Sequence, residues 1–368
     1  VKRLSKHGGT YLAWSADSRT VRWSIGPELF SADTLELGLT GVPAPDNPPV
    51  RLGWKQAADA PDTDVWFVGA TILPMHDESV IEDGVVHVKG RRIVAVGTKE
   101  DVAVPAGAKV IDCAGKTLMP GIIDIHSHTG ASGDGLYPRQ SWALNTLLAF
   151  GVTTVHDPSN NTQMIYAESE LVRQGERLGP RILSTGTILY GAEGGSKAVI
   201  NSYEDALNEV KRTAAWGPKS VKSYQQPRRE QRQQVVKACR ELGILTMPEG
   251  GSTLHYNMTH AIDGHTTLEH AVPVAPLYEP ALRLIAESGT CYTPTLTVGY
   301  GGFWGENYWY AKTDVLGNER LMRFTPHSVV APNARRRTLL TDEEEYNHIR
   351  LAKGCAEVYK RGGCIQVG

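Results

Sequence analysis

From residue 119 to the end of the chain, short apolar segments alternate with segments of helical character. Eight strand candidates can be recognised, at 122–128, 151–157, 181–189, 220–224, 243–248, 266–271, 291–298 and 364–368. The stretch after Ser202 begins with a Ser202…Asp205 pair, which is typical of a helix N-terminus. Eight strands that alternate with helices predict a (β/α)8 TIM barrel at 119–368, whose active-site residues would lie at the C-terminal ends of the strands.

The N-terminal 40 residues contain two short strand-like runs around a Ser-Ala-Asp-Ser turn, flanked by Trp14 and Trp23. One such hairpin cannot bury both of its faces, and propellers solve this problem by stacking several sheets. We therefore interpret residues 1–40 as the last-blade remnant of a β-propeller. A stray hairpin that packs on the next domain is the alternative.

Two segments separate this remnant from the barrel. Residues 41–64 are rich in Pro, Ala and Asp, which predicts a linker. Residues 65–118 consist of short β-branched runs with Gly turns at close spacing, which predicts a small antiparallel β-sandwich. The chain stops on the eighth barrel strand, so we expect a barrel that is truncated at its C-terminus.

Composition excludes several classes of protein. The formal net charge of -2 gives no electrostatic reason to bind nucleic acid or an anionic membrane. No apolar run approaches the roughly 20 residues that a membrane helix needs. The five cysteines are scattered and contain no CxxC pair, so the sequence indicates neither a zinc knuckle nor a disulfide framework.

A polar stripe on the first barrel strand is the first sign of chemistry. Asp124, His126 and His128 stand at every second position of IIDIHSH, so on a strand their side chains share one face. Two imidazoles in this arrangement can bind one cation. The motif alone is weak, because 12 histidines in 368 residues give roughly 0.4 such pairs by chance.

Other strand ends carry further candidates. Lys222 lies in the fourth strand, Glu249 follows the fifth and His270 closes the sixth. Tyr190 and Glu193 follow the third strand. Each has an ordinary structural interpretation when taken alone, such as a rim charge or a lysine paired with a carboxylate. Together with the first-strand histidines they predict one site at the C-terminal rim.

The stretch KVIDCAGKTLMPGIIDIHSHTG closely resembles the metal-dependent amidohydrolase superfamily, in its prolidase-like and imidazolonepropionase-like branch. GVTTVHD, DGHTTLEHA and CYTPTLTV are similar to the second, sixth and seventh strands of that family. The resemblance covers residues 65 to 368, in a subtype fused behind a Tol-like propeller. It implies that His126, His128 and His270 bind metal and that Lys222 is a carboxylated lysine bridging two ions.

Two departures from the family pattern are visible. The family commonly has a histidine at the end of the fifth strand, where this chain reads Met247-Pro248-Glu249. Proline cannot bind a metal, so either Glu249 substitutes as an oxygen ligand or the second metal is weakened. The catalytic aspartate of the eighth strand is expected just beyond Gly368, so we expect this fragment to lack its general base.

The leading functional interpretation is a hydrolase that cleaves C–N bonds of amide, dipeptide-like or cyclic amide substrates with metal-activated water, zinc being the first choice. A mononuclear deaminase or a lactonase of the same superfamily is the first alternative, and a non-catalytic binding module with a degenerate barrel is the second. Tyr190, Glu193, Tyr300 and Trp304 are predicted to contact a small-molecule or peptide-like substrate. For the aromatic loop at 299–314, packing on a propeller or a neighbouring subunit is the slightly favoured interpretation, because aromatic residues also mark interfaces. We further expect a homo-oligomer. The propeller resemblance favours export to the periplasm, with the cytoplasm as the alternative.

Overall fold

The computed structural model describes residues 5, 7–35, 48–59, 62–130, 137–195, 197–299, 305–335, 340 and 342–368. The strands before the barrel are β1 (Thr10–Trp14), β2 (Thr20–Ile25), β3 (Glu28–Asp33), β4 (Val50–Arg51), β5 (Asp64–Ile72), β6 (Ile81–Lys89), β7 (Arg92–Gly97), β8 (Lys109–Asp112) and β9 (Thr117–Leu118). Those that follow are β10 (Ile122–Asp124), β11 (Val152–Asp157), β12 (Arg181–Ser184), β13 (Leu189–Tyr190), β14 (Ser220–Tyr224), β15 (Leu245–Pro248), β16 (Thr267–Glu269) and β17 (Cys291–Thr293).

Helices alternate with the later strands. They are α1 (Trp142–Ala149), α2 (Thr162–Gln174), α3 (Tyr203–Ala214), α4 (Arg229–Glu241), α5 (Leu254–Asp263), α6 (Glu279–Glu287), α7 (Gly305–Lys312), α8 (Glu319–Phe324), α9 (His327–Arg335) and α10 (His348–Lys360). The predicted start of α3 is confirmed, because the Ser202 side chain accepts from the Asp205 backbone N–H and the Asp205 carboxylate accepts in return. Within the described ranges, no helix is long and apolar enough to cross a membrane.

The N-terminal segment forms an antiparallel sheet in the order β1-β2-β3-β4. Val21, Trp23, Ile25 and Ala32 make a small apolar cluster, against which Ala215 at the end of α3 packs. The sheet therefore rests on the side of the barrel through one apolar face. A four-stranded antiparallel sheet is the unit of a propeller blade, and the propeller origin of this segment stays a prediction.

The second sheet has the order β7-β6-β5-β8, with β9 also paired to β5. The expectation of a purely antiparallel sheet is wrong in part, because β8 and β9 run parallel to β5. The close spacing of the runs suggested hairpins, whereas the chain crosses over after β7 before it returns to β5. Ala70, Ile72, Val86 and Cys113 form the apolar core of this sheet.

The later strands pair in parallel with their neighbours along the chain. β10, β11 and β12 form one set, β13, β14 and β15 a second, and β16 and β17 a third. The predicted third strand is divided into β12 and β13, which connect the first set to the second. The backbone N–H of Thr266 donates to the Thr246 carbonyl, at 2.9 Å, and connects the second set to the third.

Residues 364–368 close the ring between β17 and β10. The Tyr292 N–H donates to the Cys364 carbonyl at 2.8 Å, and the Gln366 N–H donates to the Tyr292 carbonyl at 2.9 Å. On the opposite side, the Ile125 N–H donates to the Val367 carbonyl at 3.0 Å. Eight parallel segments thus follow one another around a closed barrel, as the alternation of strands and helices predicts.

One sequence-based expectation about the cysteines is wrong. Cys291 and Cys364 form a disulfide, with a Cα–Cα distance of 4.6 Å. The two residues are 73 positions apart in sequence, so no local spacing pattern could reveal the pair. They meet because the closing segment runs beside the start of β17. The remaining thiols, Cys113, Cys239 and Cys355, are buried.

Two buried histidines, one in α5 and one just after it, should make the stability of the protein depend on pH. His260 and His265 are almost inaccessible, and burial lowers the pKa of His260 to about 2 and that of His265 to about 4, from 6.5. Their unfolded-state values are higher, so the unfolded chain binds more protons and stability falls as the pH drops below 6.5. At pH 5.5 the free energy of unfolding should be about 2 to 3 kcal/mol lower than at pH 7.5 from these two groups.

Chemical denaturation at several pH values measures this effect. A His260→Leu variant should lose about half of the pH dependence that the pair supplies. His76, whose side chain is 72% exposed, provides the matched control as His76→Gln. An unchanged slope of stability against pH in His260→Leu would contradict the assignment.

Candidate active site

His126 lies two residues beyond β10 and is buried. The strand ends at Asp124 because its carboxylate accepts the His126 backbone N–H, at 3.1 Å, and turns the chain. The His126 Nδ1 atom lies 2.5 Å from Glu269 Oε2. Its Nε2 atom is buried and has no hydrogen-bond partner among the described residues. One nitrogen of this imidazole is therefore held by a carboxylate and the other is left to bind something else.

Glu249 and His270 complete a compact group with His126. Glu249 directly follows β15, and its Oε1 atom lies 2.9 Å from His270 Nε2. One potential ligand atom from each of His126, Glu249 and His270 lies within 4.8 Å of the others, and all three residues are buried. Two imidazoles and a carboxylate at this separation form a donor set that could hold a divalent cation. The orphaned Nε2 of His126 fits such an ion.

Lys222 is the fourth member of the cluster. It lies in the middle of β14, pairs in register with Met247 of β15, and is buried. Its Nζ atom is 2.6 Å from Glu249 Oε2, so the ammonium group balances the charge of that carboxylate. Burial of two charged groups is tolerated when they are paired in this way.

Glycine at position 250 allows Glu249 to reach the cluster. A Cβ atom there would lie 2.1 Å from the backbone carbonyl oxygen of Glu269. Any side chain would therefore push the end of β15 away from β16. The close approach of these two strand ends brings Glu249 beside His270.

The electrostatics of the cluster keep the His126 imidazole neutral and the Glu249 carboxylate charged. Burial, helped by the positive charge of Lys222, lowers the pKa of His126 to about 2. Burial would raise the pKa of Glu249, but the hydrogen bond with His270 and the charge of Lys222 hold this pKa well below its usual range. Burial raises the pKa of Glu269 to about 7. A neutral His126 and an ionised Glu249 are the protonation states that bind metals.

The structure does not bring His128 into this group. Its side chain is 60% exposed, and its Nδ1 atom lies 4.0 Å from Asp157 Oδ1. Asp157 is fully buried at the end of β11, where its Oδ2 atom accepts both the backbone N–H and the hydroxyl of Thr129. The loop that follows the first strand is thereby fastened to the second strand. The role of His128 as a metal ligand stays a prediction.

Of the predicted substrate-contacting residues, the structure describes Tyr190 and Glu193. Tyr190 ends β13, and its ring packs edge-on against Tyr224, with 5.1 Å between the ring centroids. The Glu193 side chain is 87% exposed and pairs with Lys197, so it lies at the surface. Tyr300 and Trp304 lie outside the described residues.

Sequence reasoning missed Glu269. The alternation of side chains on a strand assigns Glu269 and His270 to opposite faces, and His270 alone was placed in the site. His270 has a φ of 64°, in the left-handed region, which interrupts the alternation. Both consecutive side chains therefore reach the interior. A glutamate directly before a strand-end histidine was the available signal.

Comparison with known proteins gives several partial matches, although no family model matches the chain. A 5-methylthioadenosine/S-adenosylhomocysteine deaminase of Symbiobacterium thermophilum is 44% identical over 61 residues, which are 16% of this chain and 14% of that protein. An imidazolonepropionase of Bacillus cereus is 43% identical over 23% of this chain and 29% of its own length. These matches span less than a third of the two curated relatives.

A solved structure of a Xaa-Pro dipeptidase with bound methionine in its active site matches over a longer range. It covers 83% of this chain and 79% of its own, with a TM-score of 0.58 and 17% sequence identity. This match supports the barrel fold that the strand pairing defines.

Proposed function

We propose that this chain belongs to the amidohydrolase superfamily, on its prolidase-like and imidazolonepropionase-like side, and that it carries the metal centre of a hydrolase that cleaves C–N bonds. The observation that supports this proposal is the convergence of His126, Glu249 and His270, whose ligand atoms lie within 4.8 Å of one another. The group is buried at the C-terminal ends of the strands, where enzymes of this fold bind their substrates.

We assign the ion to zinc, because imidazole nitrogen and carboxylate oxygen are donors that suit it. A zinc ion in this position would lower the pKa of a bound water toward 7 and polarise a substrate carbonyl. His126, Glu249 and His270 would hold the ion, and His128 would join them only after its side chain moves inward.

Lys222 decides whether one ion or two are bound. As an ammonium group it neutralises Glu249 at 2.6 Å. Carboxylation would convert it into an anion beside that carboxylate, and the two negative charges would repel each other unless cations lay between them. We therefore expect carboxylated Lys222 only in a metal-loaded protein, where it would bridge two ions.

The substrate class that we propose is an amide, either dipeptide-like or cyclic. The Xaa-Pro dipeptidase and the imidazolonepropionase are the relatives whose names support this class. A mononuclear deaminase is the second candidate. The deaminase match favours it.

Metal content and amine release test both candidates. Chelator-treated protein is reloaded with Zn²⁺ and incubated with a panel of dipeptides and cyclic amides, and with adenosine-type substrates. We expect metal-dependent release of amine from the first group and none after chelation. Ammonia from the second group, with one zinc per chain and an unmodified Lys222, would instead support the deaminase. A chain that binds no Zn²⁺ after reloading would contradict the proposed metal centre.

The variant Glu249→Gln tests the site itself. It keeps the size of the side chain and removes the charge that both Lys222 and the ion require. The affinity of the metal-free chain for Zn²⁺ should fall by at least about 100-fold, since the loss of even a residue behind the metal ligands costs 10- to 100-fold. Undiminished affinity would place the metal site elsewhere in the chain.

A further inference from the structure

The environment of Glu269 indicates a specific role beside the proposed metal centre. Glu269 is the last residue of β16 and is completely buried. Its Oε2 atom lies 2.5 Å from His126 Nδ1, and both side chains are almost inaccessible to solvent. A buried carboxylate at this distance forms a strong, well-defined hydrogen bond to an imidazole N–H.

An unusual backbone conformation at His270 allows Glu269 to contact His126. Adjacent residues of a strand normally point to opposite faces, so only one of Glu269 and His270 should face the interior. The φ of 64° at His270 places it in the left-handed region, which is costly for a residue with a side chain. The His270 N–H still donates to the Thr293 carbonyl, at 2.8 Å, so the strand pairing continues past the irregular residue.

The hydrogen bond has a consequence for the other nitrogen of His126. A neutral imidazole carries one proton, and an acceptor at Nδ1 draws it to that atom. The Nε2 atom then keeps its lone pair, and it is the atom that is buried without a hydrogen-bond partner in the described part of the chain. The ring of His270 lies close to that of His126, with 4.5 Å between the two centroids.

We propose that Glu269 is a positioning residue, which fixes the tautomer and the ring orientation of His126 so that Nε2 is presented to the ion. This role rests on the proposed function as far as the ion is concerned. The tautomer of His126 in the metal-free protein follows from the hydrogen bond wherever Glu269 is ionised, because a carboxylate can only accept.

Nitrogen-15 NMR of the imidazole rings in metal-free protein tests directly whether His126 has the expected tautomer. The His126 signals are assigned through their loss in His126→Asn. At pH 8.5, where Glu269 is ionised, we expect the proton on Nδ1 and an unprotonated Nε2. A proton on Nε2 in the wild-type protein would overturn the proposal whatever the behaviour of any variant.

Two substitutions of Glu269 test whether its hydrogen bond sets the tautomer of His126 and supports the binding of Zn²⁺. Glu269→Gln keeps an acceptor oxygen in the same place, whereas Glu269→Met removes it. The Met variant should lose the preference for Nδ1–H, and its affinity for Zn²⁺, measured by calorimetry on the metal-free protein, should fall 10- to 100-fold. The Gln variant should recover the tautomer and most of the affinity. Wild-type affinity in a folded Met variant would refute the role.

A buried glutamate outside the cluster supplies the control. Glu168 in α2 is buried and ion-paired with Arg177, at 2.6 Å between Oε1 and Nη1. Glu168→Gln should leave both the His126 tautomer and the Zn²⁺ affinity unchanged, although it lowers stability. If the wild-type chain binds no Zn²⁺, the proposed function fails, while the tautomer measurement still decides whether Glu269 orients His126.

Discussion

His126→Ala should lower the affinity of the metal-free chain for Zn²⁺ by more than about 100-fold, because it removes a donor atom rather than a residue behind one. His128→Ala should lower it by less than about 10-fold. The difference follows from the geometry: His126 is buried in the group with Glu249 and His270, whereas the His128 side chain is 60% exposed. Isothermal titration with Zn²⁺ measures both affinities.

Comparison of the two variants also tests which ligand set is correct: the three-residue group of the structure, or the His126–His128 pair that the sequence pattern predicts. The spacing of His126 and His128 treats them as equivalent ligands, and an equal loss in both variants would contradict the three-residue group. His76→Ala is the control for the removal of an imidazole, because the His76 side chain is 72% exposed and lies between β5 and β6, outside the barrel strands. It should leave the affinity unchanged.

Much of the architecture could be predicted because it depends on repeated local patterns. Each barrel strand is a short apolar run, and each is followed by a segment with helical signals, so the order of elements is readable without long-range information. Parallel strands end at the same rim, which is why Lys222, Glu249 and His270 could be expected near one another although they lie on different strands.

The features that could not be predicted depend on single backbone torsions or on distant parts of the chain. Side-chain alternation was extended to His126 and His128, but the strand ends at Asp124, where the carboxylate turns the backbone. Glu269 was overlooked because a φ of 64° at His270 is not visible in residue types. The disulfide joins residues 73 positions apart, a relation that only the closed barrel creates.

Loss of the Cys291–Cys364 disulfide should lower the free energy of unfolding by about 4 kcal/mol, which is the value that a chain-entropy estimate gives for a loop of this length. The closed loop has a sequence separation of 73 residues. Reduction, or the substitution Cys364→Ser, releases this constraint on the unfolded chain. Denaturation of the oxidised, reduced and substituted proteins measures the difference.

Two controls show whether the loss of stability comes from the disulfide. Reductant should destabilise the wild-type protein and have no effect on Cys364→Ser. Thiol titration of denatured, unreduced protein should give three reactive thiols, from Cys113, Cys239 and Cys355, and five after reduction. Five thiols before reduction, in protein purified without reductant, would show that the disulfide does not form.

The same substitution should affect the metal centre, because the segment that the disulfide fastens runs past His126. The Val367 carbonyl accepts the Ile125 N–H, at 3.0 Å, and a Cβ atom placed on Gly368 would lie 2.9 Å from the His126 Cβ. This segment is hydrogen-bonded to β17 on one side and to the residue before His126 on the other. A looser closing segment gives His126 more freedom to move, so Cys364→Ser should lower the Zn²⁺ affinity as well as the stability. A variant that loses stability and keeps the wild-type affinity would show that the two ends of this five-residue segment are uncoupled.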